Sequence, residues 1–430
     1  MTIWTAEALV AATGGAMPTP FDATGVSIDT RTLVPGDLFV ALTGTTDGHA
    51  HVADALARGA AGVLVDRYSP GPALRVADTF AALHALGRAG RARFQGRMIS
   101  VTGSVGKTTT KDMLRQALTA FGNVHAAHAS YNNHWGVPLT LARLPPGAAF
   151  CVTEIGMNHA GEIAPLAALA RPDVAVVTAI ASNHIGNLGS LDAITDEKGA
   201  LLAALGPDGV AVVPAGPYQV SLTTRAPGRV LVFGDTGDVR VTPDGLIVDS
   251  TRIALRLDAS GAHMVSNAAA AVAACMALGL DAGRAAAALA GFAAGAGRGA
   301  QRDLAGLTLL DESYNASAAS IRAALAVLHT LPGRRVAVLG DILELGEFAS
   351  AEHAGLIPFV AKSADVVYGC GPHMRAVCDA LGGTWAPDSA ALAARLELRR
   401  GDAVLVKGSL GSRMATVVRA MEELAVRDWD

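Results

Sequence analysis

Cysteine is scarce. Cys151, Cys275, Cys370 and Cys378 are the four in 430 residues, and no two form a Cys-x-x-Cys pair. That usage fits ordinary buried thiols in a reducing, cytoplasmic setting rather than a disulfide framework. Charge is also thin: 17% of residues are charged, the formal net charge is −4, and no basic block or aromatic-interleaved basic stripe occurs. A nucleic-acid partner is therefore not expected. The longest apolar run, Ala268 to Leu280, is mostly alanine and too short to span a bilayer. The opening stretch MTIWTAEALVAATGG has no basic segment and contains Glu7. It predicts a helix capped by Thr5 and stopped at Gly14, not a leader peptide.

What is present is apolar surface enough for several cores: 51% of the residues are hydrophobic. The order of strand and helix patterns divides the chain into three α/β blocks. Residues 1–80 alternate short strands and helices. Residues 81–297 carry parallel-type strands at AAFCVTEIG, DVAVVTAI and GVAVVP, then hairpin-like strands (VRVTPDG, GLIVD, RIALRL) and two alanine-rich helices. GFAAGAGRGAQ reads as a linker. Residues 298–430 repeat strand then helix from LTLLDES, RRVAVLGD, ADVVYGC and DAVLVKGS, a doubly wound pattern.

The stretch ISVTGSVGKTTTKDML carries the clearest chemistry. Met98 to Val101 predicts a strand, and Lys107 onward a helix with Met113, Leu114, Ala117 and Leu118 on one side. Between them Gly103, Ser104, Val105 and Gly106 form a tight turn whose backbone N–H groups can approach phosphate. Lys107 reaches toward the β- and γ-phosphates, and the hydroxyls of Thr108 and Thr109 follow, Thr108 suited to Mg²⁺. The spacing is tighter than the general P-loop pattern, which has glycine where this chain has Val101.

Other polar groups stand at strand ends, where open α/β sheets bind ligands. Glu154 closes FCVTE and His184 follows VAVVTAI; a metal-side role and a plain solvated or structural role are both open to them. Asn132 and Asn133 in SYNNHWGVPLTL bind a polar substrate or cap a helix. His263 and Asn267 lie four residues apart on one helical face. Asp311, Glu312 and Tyr314 end one late strand, Asp341 and Glu344 another. Lys198, in DAITDEKGALL, reads alone as an exposed helical lysine.

Together TGSVGKTTTK, YNNHWGVPLTL, TEIGMNHAGEI, NHIGNLGSLDAITDEKG, LLDESYNASAASI and LGDILELGE make the chain resemble the Mur ligase family over nearly its whole length. Within that family it is most similar to the members that join D-alanyl-D-alanine to UDP-N-acetylmuramoyl-tripeptide. DESYNAS and GDILELGEFA discriminate best, and the Asp-Asn-Pro-Arg signature of the preceding ligase is absent. GAGRGAQRD resembles the family's glycine-arginine linker loosely, at Arg298. The resemblance implies a three-domain α/β architecture: 1–80 as a small UDP-sugar domain, 81–297 as a central P-loop domain binding ATP, and 298–430 as a Rossmann-like domain for the acceptor.

The resemblance also implies roles. ATP would meet Gly103 to Thr109, with Asn267 and His263 near the base, Asp311 near the ribose and Tyr314 adjacent. Two Mg²⁺ sites are implied: one held by Glu154 and His184 near the γ-phosphate and the incoming carboxylate, with Lys198 beside it as N6-carboxylysine, and one on the nucleotide side at Thr108. The donor would meet Ser27, Asp29, Arg31 and the loop 42–49, with Asn132 and Asn133. Such a protein is expected to be a cytoplasmic monomer without a membrane span, working in peptidoglycan synthesis. A P-loop switch or a folylpolyglutamate-type ligase would not need the first eighty residues, and a catalytically dead scaffold would not need Lys107, Thr108, Glu154 and His184 together.

Overall fold

A computed structural model describes residues 1–44 and 46–426. Thr45, inside the loop expected to meet the donor, lies outside the described residues. Three sheets follow one another along the chain. The first joins β1 (Gly25–Ser27), β2 (Asp37–Val40), β3 (Gly62–Val65) and β4 (Ala73–Arg75) in sequence order, all parallel. The predicted helix before it spans Ala6–Thr13. The Thr5 side chain accepts from the Ala8 N–H, and Gly14 ends the helix in the left-handed region at φ 67°.

The second sheet has nine strands: β5 (Arg97–Thr102), β6 (Val124–Ala126), β7 (Phe150–Glu154), β8 (Val174–Val177), β9 (Val210–Pro214), β10 (Arg229–Gly234), β11 (Val239–Thr242), β12 (Gly245–Val248) and β13 (Thr251–Ala254). Their spatial order is β13-β12-β11-β10-β9-β8-β5-β7-β6. The strands around β5 are parallel, and β11, β12 and β13 are antiparallel. Parallel strands are covered on both faces, so they read as unbroken apolar runs. One face packs Met113, Leu114, Ala117 and Leu118 of the helix Lys107–Leu118 against the alanines of the helix Ala262–Ala277. The other packs the helices Ile163–Ala170 and Leu191–Ala203, and its apolar cluster continues into the third block through Leu310, Ile321 and Leu345.

The third sheet joins β14 (Ala300–Leu304), β15 (Leu307–Glu312), β16 (Arg335–Gly340), β17 (Val366–Cys370), β18 (Thr384–Ala386) and β19 (Ala403–Lys407) in the order β14-β15-β19-β16-β17-β18. All pairs are parallel except β14 with β15. The glycine-rich linker read in 291–301 is therefore shorter than expected. Ala300 and Gln301 open β14, because the Gly299 N–H donates to the Asp311 carbonyl at 2.8 Å and pulls the chain onto the sheet edge.

Candidate active site

β5 lies between β8 and β7, so its C-terminal turn opens beside those of both neighbours. The turn is built around two glycines. Gly103 has φ +147°, and a Cβ there would stand 2.0 Å from Thr178 Oγ1; Gly106 has φ +83°, and a Cβ would stand 2.3 Å from Asn267 Oδ1. Side chains are thus excluded where the backbone must turn toward a ligand. The helix Lys107–Leu118 begins at once, leaving its first N–H groups facing the opening. Lys107 folds its ammonium back onto its own loop, donating to the carbonyls of Gly103 at 2.7 Å and Ser104 at 3.3 Å. Burial pulls its pKa below the ordinary lysine value, Glu154 pulls the other way, and Arg298 adds to the lowering.

Glu154 ends β7 and is 1% exposed. Its Oε2 accepts from the Thr108 hydroxyl at 2.8 Å and its Oε1 from Asn132 Nδ2 at 2.8 Å. No lysine, arginine or histidine forms an ion pair with it among the described residues. A buried carboxylate held only by neutral donors is expensive unless a cation joins it. The all-oxygen pair of Thr108 and Glu154 suits a hard divalent ion such as Mg²⁺. Among the described residues no three His, Cys, Asp or Glu converge as a ready cage.

One cleft of about 580 Å³ gathers the P-loop residues Ser104 to Thr109 with Asn132, Asn133, Glu154, His184, His263, Asn267 and Tyr314. His184 is left-handed at φ 61° and caps the short helix Ile185–Leu188. Its Nδ1 lies 2.5 Å from Glu344 Oε2. That contact holds the Glu344 carboxyl below the usual glutamate range. The cleft wall from the third sheet includes Arg298, Glu312, Asn315 and Lys407. Arg298 lies 3.9 Å over the Tyr314 ring, and the Tyr314 hydroxyl meets Ser130 Oγ at 2.5 Å. Lys407, 2% exposed at the end of β19, pairs with Glu312 at 3.0 Å and also donates to the Asn315 carbonyl. Glu312 Oε1 in turn stands 3.9 Å from His263 Nε2, whose pKa burial lowers.

Several expected residues lie elsewhere. Asp311 is not in the cleft wall: one carboxylate oxygen accepts from the Ser313 N–H and hydroxyl, and the other stands 3.5 Å from Arg302. Its neighbour Glu312 faces the cleft in its place, since adjacent strand residues point to opposite faces. Asn133 reaches the wall but caps the helix Gly136–Ala142, accepting from the N–H groups of Trp135 and Gly136. Ser27, Asp29 and Arg31 sit away from this cleft, in the turn after β1. There Ser27 bonds the Asp29 backbone, and Asp29 pairs with Arg31 at 2.6 Å.

Lys198 is 1% exposed rather than solvated as its lone sequence context suggested. Its neighbours are otherwise engaged: Asp196 pairs with Arg225, and Glu197 accepts from the N–H groups of Gly161 and Ile163. Burial and the nearby Lys107 drive the Lys198 pKa well below its usual value. Ser130 and Lys407 were not singled out for the site from sequence, whereas Glu312 was read only as one of several strand-end polar groups. Lys407 carried one usable signal, a lone charge closing the apolar run AVLV.

Comparison with known proteins gives a consistent result. The Mur ligase middle domain matches residues 101–275, and the Mur ligase glutamate ligase domain matches residues 297–410. The UDP-N-acetylmuramoyl-tripeptide–D-alanyl-D-alanine ligase of Escherichia coli is 36% identical over 423 residues, covering 93% of each chain. The ligase of the same name from Synechocystis is 36% identical over 343 residues, covering 76% of this chain and 74% of its own. A crystal structure of MurF from Acinetobacter baumannii superposes with a TM-score of 0.87 at 31% identity, over 98% of this chain and 99% of that one. The MurF ligase of Thermotoga maritima in complex with ADP superposes with a TM-score of 0.78 at 26% identity, over 94% of this chain and 98% of that one.

Proposed function

This chain belongs to the Mur ligase family, and from that premise we propose that it joins D-alanyl-D-alanine to UDP-N-acetylmuramoyl-tripeptide at the cost of ATP, forming the pentapeptide precursor of peptidoglycan. A carboxylate is a poor acyl donor because its leaving group would be oxide. Transfer of the γ-phosphoryl group to the tripeptide carboxylate gives an acyl phosphate. The dipeptide amine then attacks the carbonyl carbon, and phosphate leaves from a tetrahedral intermediate.

The observation that carries this reading is one cleft lined both by the P-loop with Glu154 and by the strand ends of the third sheet. It suits a reaction in which a phosphate donor bound at the second sheet meets an amine delivered from the third. Lys107 releases its loop carbonyls to neutralise the transferring phosphoryl group, and the helix start at Lys107 supplies N–H donors to it. Asn132 holds Glu154 through Oε1, and Glu154 Oε2 accepts from the Thr108 hydroxyl, keeping the two cation oxygens side by side. Mg²⁺ would be held by Thr108 and Glu154, with His184 and a carbamylated Lys198 at a second position, and would supply charge neutralisation where two anions meet. The carbamate forms when the neutral Lys198 amine adds to CO₂ and gives up one proton, and burial beside Lys107 favours that neutral amine.

His263 and Asn267 face the adenine side and Tyr314 with Arg298 closes it. Ser27, Asp29, Arg31 and the 42–49 loop anchor the UDP end of the donor, far from the chemistry, so that remote binding positions the carboxylate. The division is 1–80 for the donor, 81–297 for ATP and 298–430 for the acceptor. The protein works as a cytoplasmic monomer. Among the described residues no helix is long and apolar enough to cross a membrane.

The test is phosphate release from ATP with UDP-N-acetylmuramoyl-tripeptide and D-alanyl-D-alanine, separately and together. Release that requires both substrates is expected. Equal release with neither would make the protein a plain nucleotide hydrolase.

A further inference from the structure

Lys111 is a buried charged group that the reaction above does not use. It lies four residues past Lys107 on the same helix and is 1% exposed. An ammonium so placed must be fully engaged. Its Nζ donates to the carbonyls of Ala127 at 2.9 Å and Ala129 at 2.6 Å, and stands 3.1 Å from Asp112 Oδ1. The two carbonyls belong to the loop after β6. Ala129 takes φ 47° there, a left-handed conformation that an alanine adopts only under constraint. Three residues on, Asn132 donates to Glu154 Oε1 at 2.8 Å, and its own carbonyl accepts from the Gly156 N–H at 2.8 Å.

We propose that Lys111 is a positioning residue: by clamping the left-handed turn at Ala129 to the P-loop helix, it presents Asn132 to Glu154 and so sets the orientation of the carboxylate that receives the divalent cation. The inference rests on the assignment of Glu154 to that cation. One helix then carries the phosphate lysine, the cation hydroxyl of Thr108 and, one turn later, the cation that fixes the carboxylate's partner. Any shift of the helix moves all three together. Groups that orient a metal ligand commonly change metal affinity when removed, while leaving the fold standing.

The experiment measures Mn²⁺ affinity by electron paramagnetic resonance on the full chain with ADP bound, beside thermal unfolding and metal-free ADP affinity. The variants are Lys111→Met, Asn132→Ala, their double mutant, and Glu154→Gln. Lys111→Met and Asn132→Ala should each weaken Mn²⁺ by about ten-fold or more. The double mutant should be no weaker than the weaker single variant, because both act through one carboxylate. Metal-free ADP affinity should move by less than about two-fold, since the phosphate loop itself is untouched.

The proposal is overturned if Lys111→Met lowers the unfolding temperature but leaves Mn²⁺ affinity unchanged, or if the two losses simply add. If Lys111→Met does not fold, Lys111→Gln carries the same expected and contrary results, its amide leaving a donor in the site without spanning both carbonyls. If Glu154→Gln also leaves Mn²⁺ affinity unchanged, the metal assignment itself fails. A shift with Glu154→Gln and none with either Lys111 variant overturns this inference alone.

Discussion

Lys107 holds two carbonyls of its own loop, contacts that a triphosphate would replace under the proposed function. Lys107→Ala should therefore cut turnover by about a thousand-fold, roughly 4 kcal/mol of barrier, with little change in circular dichroism or unfolding temperature. Steady-state kinetics beside a thermal scan decide it, and near-normal turnover would remove the P-loop assignment. Lys198 gives a second expectation. Lys198→Ala should lose most of its rate and regain part of it with acetate or formate, which restore an anion in the space left behind. Rescue by small amines instead would assign a cationic lysine. At this scale the glycines, Lys107 and Thr108 could be singled out from short spacing within one strand-turn-helix unit, and Glu154 from its place at the end of a separate apolar strand. Lys407 was not singled out: it reaches the cleft only once the third sheet sits against the second, and no local spacing encodes that contact. Asp311 and Glu312 show the same limit in miniature. The sequence places both at a strand end, but only the strand's alternation and its seating decide which one faces the ligand.

The third sheet's β16 is continued by Asp341, whose carboxylate accepts from the Met374 N–H at 2.7 Å at the start of the helix Met374–Leu381. Behind it His353 is buried, its Nε2 accepting from the Ile342 N–H at 3.0 Å and its Nδ1 lying 2.7 Å from the Ala349 carbonyl. That arrangement needs the neutral ring. Burial lowers the His353 pKa below the ordinary histidine value of about 6.5, with the Ala349 carbonyl and Asp341 opposing and His373 reinforcing. The folded state thus resists a proton that the unfolded chain accepts, so stability falls as pH drops through 6.5. The slope is at most about 1.4 kcal/mol per pH unit for this one group. His353→Gln should flatten that part of the pH profile, as measured by urea unfolding between neutral and mildly acid pH; an unchanged slope would show that His353 does not carry it. Element types were read well where apolar runs are long, as in β5, β8, β9 and β19. The edge strand β14 was partly lost in a glycine-rich stretch, because an edge strand with one side unpaired carries little apolar signal.

Across the whole molecule the blocks touch through few polar contacts near the cleft: Ser130 with Tyr314, His184 with Glu344, and His263 facing Glu312. Sites made between blocks close around their ligands. Small-angle scattering with nucleotide and donor together should show a smaller radius of gyration than the free protein, and identical profiles would count against closure. A chain lacking residues 1–80 should lose donor binding. The core that this block shares with the rest qualifies the experiment, since Leu83 and Leu86 of the helix Thr79–Arg93 and Leu139 pack into the first sheet's cluster. Point changes at Asp29 and Arg31, scored by donor KM, are therefore the cleaner test: KM should rise with kcat nearly unchanged. The central claim is that ATP activates the donor's carboxylate. Its most direct measurement uses UDP-N-acetylmuramoyl-tripeptide labelled with ¹⁸O in the reacting carboxylate, with the inorganic phosphate analysed by mass spectrometry after one turnover with ATP and D-alanyl-D-alanine. The account predicts one ¹⁸O atom in each phosphate, carried over when the acyl phosphate is cleaved by the amine; phosphate free of label, with amide product formed, would contradict it.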